Sequence, residues 1–227
     1  MTIDITDNFQ GFIKSFEKSC KKAKRNPKEI KIIGATKGQS LVKINKAISL
    51  GMINFGENFL QEAEKKIEEI QLPAKWHFIG SIQRRKTKKI SNLFDWVHSL
   101  DKIAIAENLD FHRQNNKSPL NICVQINIDN EKNKSGIKLN EAKGFINELK
   151  KYKNLKVRGL MAIPKPRKSF AEQKEIFSLI KKHFLYLNNF FPYLDTLSMG
   201  MSEDYEAAIN EGSTIIRIGT KIFGPRQ

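Results

Sequence analysis

Lys37 closes the short apolar run Ile32-Ile33-Gly34-Ala35-Thr36 and is followed at once by Gly38-Gln39-Ser40. An amine at the C-terminal lip of a buried strand is held by the strand rather than by water. Such an amine loses its proton more readily than a solvated one and becomes a nucleophile toward a carbonyl. The plain alternative is a lysine that snorkels out of a strand end. Arg217 lies among Ile215, Ile216 and Ile218, where a guanidinium is costly unless something pairs with it. Either a carboxylate meets it for structural reasons or it faces a ligand, and the turn beside it favours the ligand. That turn, Gly219-Thr220, and the earlier Ser198-Met199-Gly200-Met201-Ser202 supply glycine, hydroxyls and free backbone N–H groups, the equipment of phosphate binding. Ordinary turn glycines and a helix cap at Ser202 would leave the same letters.

Other residues of chemical interest read more plainly. Glu57 or Asn58 is placed to cap a following helix. His77 and His98 fall in strands, where a lone histidine is usually a hydrogen-bonded core residue. His112 and His183 fall on helices and read as solvated. Cys20 and Cys123 have no Cys or His at metal spacing, so they read as incidental thiols and no metal is expected. No Ser-His-Asp set is supported by position.

The elements that must hold these residues alternate along the chain. A first helix carries Ile5, Phe9, Phe12, Ile13, Phe16 and Cys20 at three- and four-residue steps, with Thr6 or Asp7 as its cap and Pro27 closing it. Strand candidates then follow at 31–36, 52–55, 76–79, 95–99, 120–128, 156–162, 195–199 and 214–218. Helical patterns lie between them at 41–50, 58–70, 82–93, 101–112, 140–152, 170–191 and 202–211. Asp101 is expected to cap the fourth of these. Eight strands alternating with helices call for parallel pairing, and eight units in about 200 residues fit a (β/α)₈ barrel. A doubly wound open sheet is the alternative. In a barrel, the strand C-termini form the active face, and phosphate is often held after strands seven and eight. Lys37, Ser202 and Arg217-Ile218-Gly219-Thr220 would then meet at one mouth. The polar stretch 127–136 after the fifth strand would lie at the same end, as a lid or as a plain surface loop. No linker interrupts the series, so residues 1–227 are read as one domain.

Composition narrows the function classes. No run of about 18 apolar residues is present to cross a membrane, and residues 1–7 are acidic and polar, which is wrong for a secretory signal. The expected location is the cytoplasm. The formal charge of +16 raises the question of nucleic acid. However, the basic residues are 32 Lys against 8 Arg, and specific phosphate and base recognition favours the bidentate Arg fork. The denser patches, 84–89 and 165–168, are not interleaved with aromatics that stack bases. A specific nucleic-acid partner is not expected.

Several stretches together resemble one family. They are Ala35-Thr36-Lys37, Phe55-Gly56-Glu57-Asn58, Trp76-His77-Phe78-Ile79-Gly80, Lys134-Ser135-Gly136, Arg158-Gly159-Leu160-Met161, Leu197-Ser198-Met199-Gly200-Met201-Ser202 and Arg217-Ile218-Gly219-Thr220 with Ile222-Phe223-Gly224. In this order they resemble the pyridoxal phosphate homeostasis proteins, the YggS/PROSC family, over nearly the whole chain. The resemblance implies a barrel of the alanine racemase N-terminal type, with an extra N-terminal helix. It implies that Lys37 forms a Schiff base with pyridoxal 5'-phosphate and that Ser202, Gly219 and Thr220 hold the phosphate. It also implies that Arg217 faces the pyridine nitrogen and that Asn58 lines the ring. Ser81 and Arg85 depart from the family pattern, in the third βα loop.

The residues suggest a carrier. A carboxylate at the pyridine nitrogen keeps it protonated and makes the ring a strong electron sink. Arginine only donates, so it favours the unprotonated nitrogen and a weaker sink. A racemase of this barrel type also needs a second base from an appended β-domain, and the sequence stops at Gln227. The expectation is a non-catalytic cofactor-binding protein, monomeric or weakly dimeric, that buffers or delivers the cofactor to dependent apo-enzymes. A single-domain amino-acid racemase is the alternative.

Overall fold

The computed structural model describes residues 4–113 and 118–225; the expectations for residues 1–3 and for Gln227 lie outside them. The first helix, α1 (Thr6–Lys22), buries Phe9, Phe12, Phe16 and Cys20, the face its spacing predicts. Neither Thr6 nor Asp7 caps it. Asp4 instead accepts the Thr6 N–H at 3.0 Å. The helix stops before Pro27, which opens a short 3₁₀ turn, Pro27–Glu29.

Eight strands follow: β1 (Lys31–Ala35), β2 (Asn54–Glu57), β3 (Lys75–Phe78), β4 (Trp96–Leu100), β5 (Leu120–Ile126), β6 (Leu155–Ala162), β7 (Thr196–Ser198) and β8 (Ile215–Ile218). They close in chain order into a parallel barrel. The closing pair is β1 with β8, in register from Lys31 opposite Ile215 to Gly34 opposite Ile218. The open-sheet alternative is therefore excluded. The connecting helices are α2 (Leu41–Ser49), α3 (Leu60–Glu69), α4 (Thr87–Leu93), α5 (Ile103–His112), α6 (Ala142–Leu149), α7 (Phe170–Asn188) and α8 (Tyr205–Asn210). A last short helix is α9 (Thr220–Phe223).

Alternation along each strand divides the buried residues into two sets. One large apolar core fills the space between strands and helices. A small one, Ile33, Trp96, Cys123, Met161 and Ile215, lies apart from it. These five share the inward parity of their strands and fill the barrel interior.

Several element edges differ from the sequence reading. β2 begins two residues later than its apolar letters suggest and includes Asn54 and Glu57, both buried. Their partners come from other elements, so hydropathy alone does not mark them. Asp101 does not cap α5; its carboxylate takes the Gly136 N–H at 3.0 Å. The long helix α7 has a capping box of Ser169 and Glu172 and ends before Phe191, the residue preceding Pro192. α1 packs on α8 and α9. Ser15 and the Tyr205 hydroxyl lie 2.8 Å apart, and the Phe12 and Tyr205 rings meet edge to face at 5.5 Å. The extra helix thus braces the side of the barrel that carries the seventh and eighth strand ends.

Candidate functional site

At the C-terminal mouth a cavity of about 300 Å³ is lined by Ala35, Arg217, Gly219 and Thr220, by Met201 to Asp204, and by Pro164, Pro166, Arg167 and Gln173. This is the small end of the range for ligand pockets. A wider, more open depression of about 570 Å³ runs along α7 between Arg167 and Lys182, but no strand end reaches it.

The cavity walls are built by turns. Gly200 adopts φ +97°, and a Cβ there would stand 2.6 Å from the Ala208 methyl. Glycine is what lets the chain after β7 fold back over α8. The Gly200 carbonyl accepts the Arg217 N–H at 3.0 Å, which ties the two turns together. Ser202 is not a helix cap. α8 starts at Tyr205, with Asp204 at its N-cap position, and the Ser202 hydroxyl has no hydrogen-bond partner among the described residues. The Thr220 hydroxyl is likewise unengaged. Thr220 opens α9, whose first N–H groups have no intrahelical acceptors. Lys43, buried on α2, anchors that helix by donating to the Phe223 carbonyl at 2.8 Å and to Gln39 Oε1 at 2.9 Å.

Arg217 is 4% exposed, and no carboxylate contacts it among the described residues. Its Nη1 donates to Ser198 O at 2.8 Å and Ser198 Oγ at 2.6 Å, and its Nη2 to Ala162 O at 3.0 Å. Burial pulls its pKa down to about 10, with the Asp204 charge opposing, so it remains a cation at neutral pH. The structural ion pair weighed from sequence is absent, and Arg217 lines the cavity. Asp204 is pushed up by burial while its backbone hydrogen bond from Met201 and the Arg217 charge hold it down.

Lys37 and Asn58 do not line the cavity. Lys37 is half-buried, with its Nζ 4.5 Å from the centre of the Phe59 ring. Asn58 and Glu57 do not cap α3, whose N-cap position is Phe59. The Asn58 carbonyl packs so close to Gly80 that a Cβ there would lie 2.0 Å away.

Glu57 has another task. It is fully buried, and its Oε1 accepts from Thr36 Oγ1 at 2.6 Å and Lys66 Nζ at 2.7 Å. Lys66 also donates to the Thr36 carbonyl and to Glu62 Oε1, each at 2.6 Å. Glu62 in turn accepts the Gly38 N–H at 2.6 Å. The backbone on both sides of Lys37 is thus gripped by one buried ion cluster. Burial raises the Glu57 pKa, against the hydrogen bonds from Lys66 and Thr36. Sequence reasoning passed over this cluster. A signal existed: Lys66 falls three residues after Ala63 and four before Ile70, on the apolar stripe of α3.

His77 and His98 are buried hydrogen-bonded residues of the barrel interior, as read from sequence. His183 is half-buried: its Nε2 is buried with no partner among the described residues, and burial lowers its pKa against a backbone hydrogen bond at Leu139. The 127–136 loop is tied down by Asn127, whose amide donates to Glu131 O at 2.8 Å, and by Gln125, whose amide donates to Ser135 O at 3.0 Å. Asp129 reaches across to accept from Arg167 and from the Lys165 N–H, so this loop fixes one wall of the cavity. Ser81 and Ser135 lie 3.3 Å apart, and Arg85 stays with Gln83. Both cysteines are buried free thiols.

The family model for the alanine racemase N-terminal domain matches residues 18–227. Over 223 residues the chain is 41% identical to the pyridoxal phosphate homeostasis protein of Pseudomonas aeruginosa, covering 98% of this chain and 96% of that one. The chain belongs to this family. It is also 39% identical over 227 residues to the pyridoxal phosphate homeostasis protein of Escherichia coli, covering 98% and 97%. The homeostasis-family barrel matches PipY of Synechococcus elongatus, solved with PLP bound. The TM-score is 0.80 at 30% identity, over 92% of this chain and 99% of that one. Alanine racemase of Clostridium difficile, at 14% identity and TM-score 0.74 over 57% of its length, shares the fold.

Proposed function

We propose that this protein binds pyridoxal 5'-phosphate at the barrel mouth and acts in its cytoplasmic homeostasis, holding and releasing the cofactor without turning over amino acids. The observation that carries this reading is the cavity. A buried arginine with no carboxylate contact shares it with two unengaged hydroxyls and with Ala35, two residues before Lys37. These groups fit an anionic phosphate and a ring nitrogen that accepts a hydrogen bond. Ser202, Gly219 and Thr220 hold the phosphate, and Arg217 faces the ring nitrogen. When bound, the group supplies an aldehyde that an amine captures reversibly.

Lys37 supplies that amine, and to do so its side chain leaves the Phe59 ring. The cost is small, because an exposed cation–π contact is worth about 0.5–1 kcal/mol. Arg217 favours the unprotonated ring nitrogen, which weakens the electron sink and suits storage over catalysis. In this reading the chain works as one barrel domain, as monomer or weak dimer, and the recipients are PLP-dependent apo-enzymes.

The test is the absorbance spectrum of the purified protein beside that of Lys37→Ala, followed by borohydride reduction and peptide mapping. The wild type should be yellow and carry the reduced label on Lys37, and the variant should carry none. A colourless wild type that takes up no added PLP overturns the reading. Exchange of an amino-acid α-proton into deuterated water at enzymatic rates would favour the racemase instead.

A further inference from the structure

Behind Arg217, on the side away from the cavity, four polar side chains form an unbroken file through the barrel. Ser198 Oγ, which accepts from Arg217, lies 2.9 Å from His98 Nδ1. His98 Nε2 lies 3.0 Å from His77 Nδ1, and His77 Nε2 lies 3.2 Å from Asn54 Oδ1. All four are buried. The rings are clamped by Trp96, stacked on His77 at 5.6 Å and tilted against His98 at 5.7 Å.

The Asn54 end sets the direction of the protons. An amide oxygen is only an acceptor, so His77 donates to it from Nε2. A neutral His77 then accepts at Nδ1 from His98 Nε2, and a neutral His98 accepts at Nδ1 from Ser198, whose oxygen accepts from Arg217. In this arrangement both imidazoles are the Nε2–H tautomer, and each of the four links has one donor and one acceptor. Burial disfavours a charge on either ring, and the cations acting on the pair, Arg217 on His98, Lys75 on His77 and Lys31 on both, oppose it further.

Aligned in this way, the hydroxyl and both imidazoles turn the negative ends of their dipoles toward the guanidinium. A buried cation needs compensation, and a carboxylate in contact would have supplied it while cancelling the field on the cavity side. Aligned dipoles add to the pull of the Asp204 charge without a carboxylate in contact, and hydrogen bonds in series polarise one another. Three of the five Arg217 N–H groups are used by Ser198 and Ala162; the other two have no partner among the described residues.

We propose that His77 and His98 are positioning residues: a neutral dipolar wire that helps hold Arg217 as a cation with no carboxylate in contact, so that it faces the pyridine nitrogen of bound PLP as a cation. This rests on the PLP reading above for its ligand, but not for the wire. The experiment therefore has two arms. In the apo protein, ¹⁵N NMR of labelled histidine at pH 7 should show both buried imidazoles neutral and protonated at Nε2. A charged ring, or an Nδ1–H tautomer for either one, overturns the wire and needs no variant to fold.

In the loaded protein, PLP labelled with ¹⁵N in the ring should report an unprotonated nitrogen. His98→Leu should move that signal toward the protonated position and weaken PLP binding about tenfold, equivalent to about 1.4 kcal/mol. His98→Asn, whose amide oxygen can accept the Ser198 proton, should restore most of both. Wild-type signal and affinity in His98→Leu would overturn the positioning role. A wild type that takes up no PLP would overturn the cofactor reading and the ligand named here, while the apo arm still decides the wire.

Discussion

Replacing Lys66 with methionine keeps the aliphatic stem and removes the ammonium from the centre of the cluster beneath Lys37. The wild-type ammonium donates to Glu57, Glu62 and the Thr36 carbonyl at 2.6–2.7 Å. Without it, Glu57, fully buried, keeps only the Thr36 hydroxyl. Removing one partner of a buried ion pair costs about 3–5 kcal/mol, because the remaining charge is orphaned. Urea unfolding at pH 7.5 should show a loss of that size, and Lys66→Met with Glu57→Gln should recover to within about 1 kcal/mol of wild type. The pH dependence has a definite sign. Burial already holds the Glu57 pKa above its ordinary value, and loss of Lys66 raises it further. The folded state then binds the proton more readily than the unfolded one, so the deficit is full above the folded pKa and shrinks as pH falls through it. The same variant frees the Thr36 carbonyl and leaves Glu62 alone on the Gly38 N–H, so PLP uptake at Lys37 should weaken as well. A loss under about 1 kcal/mol, with no recovery in the double variant, would refute the claim that this is a buried, coupled cluster.

His77 and His98 are held neutral, with pKa values well below the ordinary 6.5, by burial and neighbouring positive charge. Stability from this source is present above the unfolded pKa and is lost as pH falls below it. A histidine still neutral in the fold at pH 5.5 costs about 1.4 kcal/mol between pH 7.5 and 5.5. His98→Asn should therefore flatten the pH dependence of urea unfolding by that amount, and equal slopes in variant and wild type would count against it. Phe59→Ala removes the contact that competes for Lys37, so PLP affinity should rise about two- to fivefold by equilibrium titration. An unchanged or weaker affinity would contradict the idea that Lys37 must leave that ring. Gly200→Ala forces a Cβ into the Ala208 methyl at positive φ. Thermal or urea unfolding should register a loss of about 1–3 kcal/mol, with PLP binding impaired at the Ser202 turn.

The barrel was legible because parallel strands covered on both faces leave apolar runs, and the crossovers leave helical periodicity. β1 and β8 stand close to the residues read for them. The edges that slipped were polar. Asn54 and Glu57 extend β2 because His77 and Lys66 satisfy them, and a local window contains neither partner. Asp101 reads as a cap in its own neighbourhood, yet it serves Gly136, 35 residues away.

The sequence by itself determined the repeat of eight units and the types of residue at the strand ends. Those depend on local periodicity and on which letters can turn, donate or attack. Which groups share a cavity was decided only when the barrel closed, since closure sets β1 beside β8 and brings Ala35 to the Gly219 turn. Closure also turned alternate strand residues inward, where burial withdraws water from every polar group. Arg217 then had to be compensated by Ser198, His98 and His77, and Lys37 had its backbone fixed by Glu57 and Lys66. No spacing rule joins these residues, because they come from different strands and helices and meet only through desolvation and hydrogen-bond geometry in three dimensions.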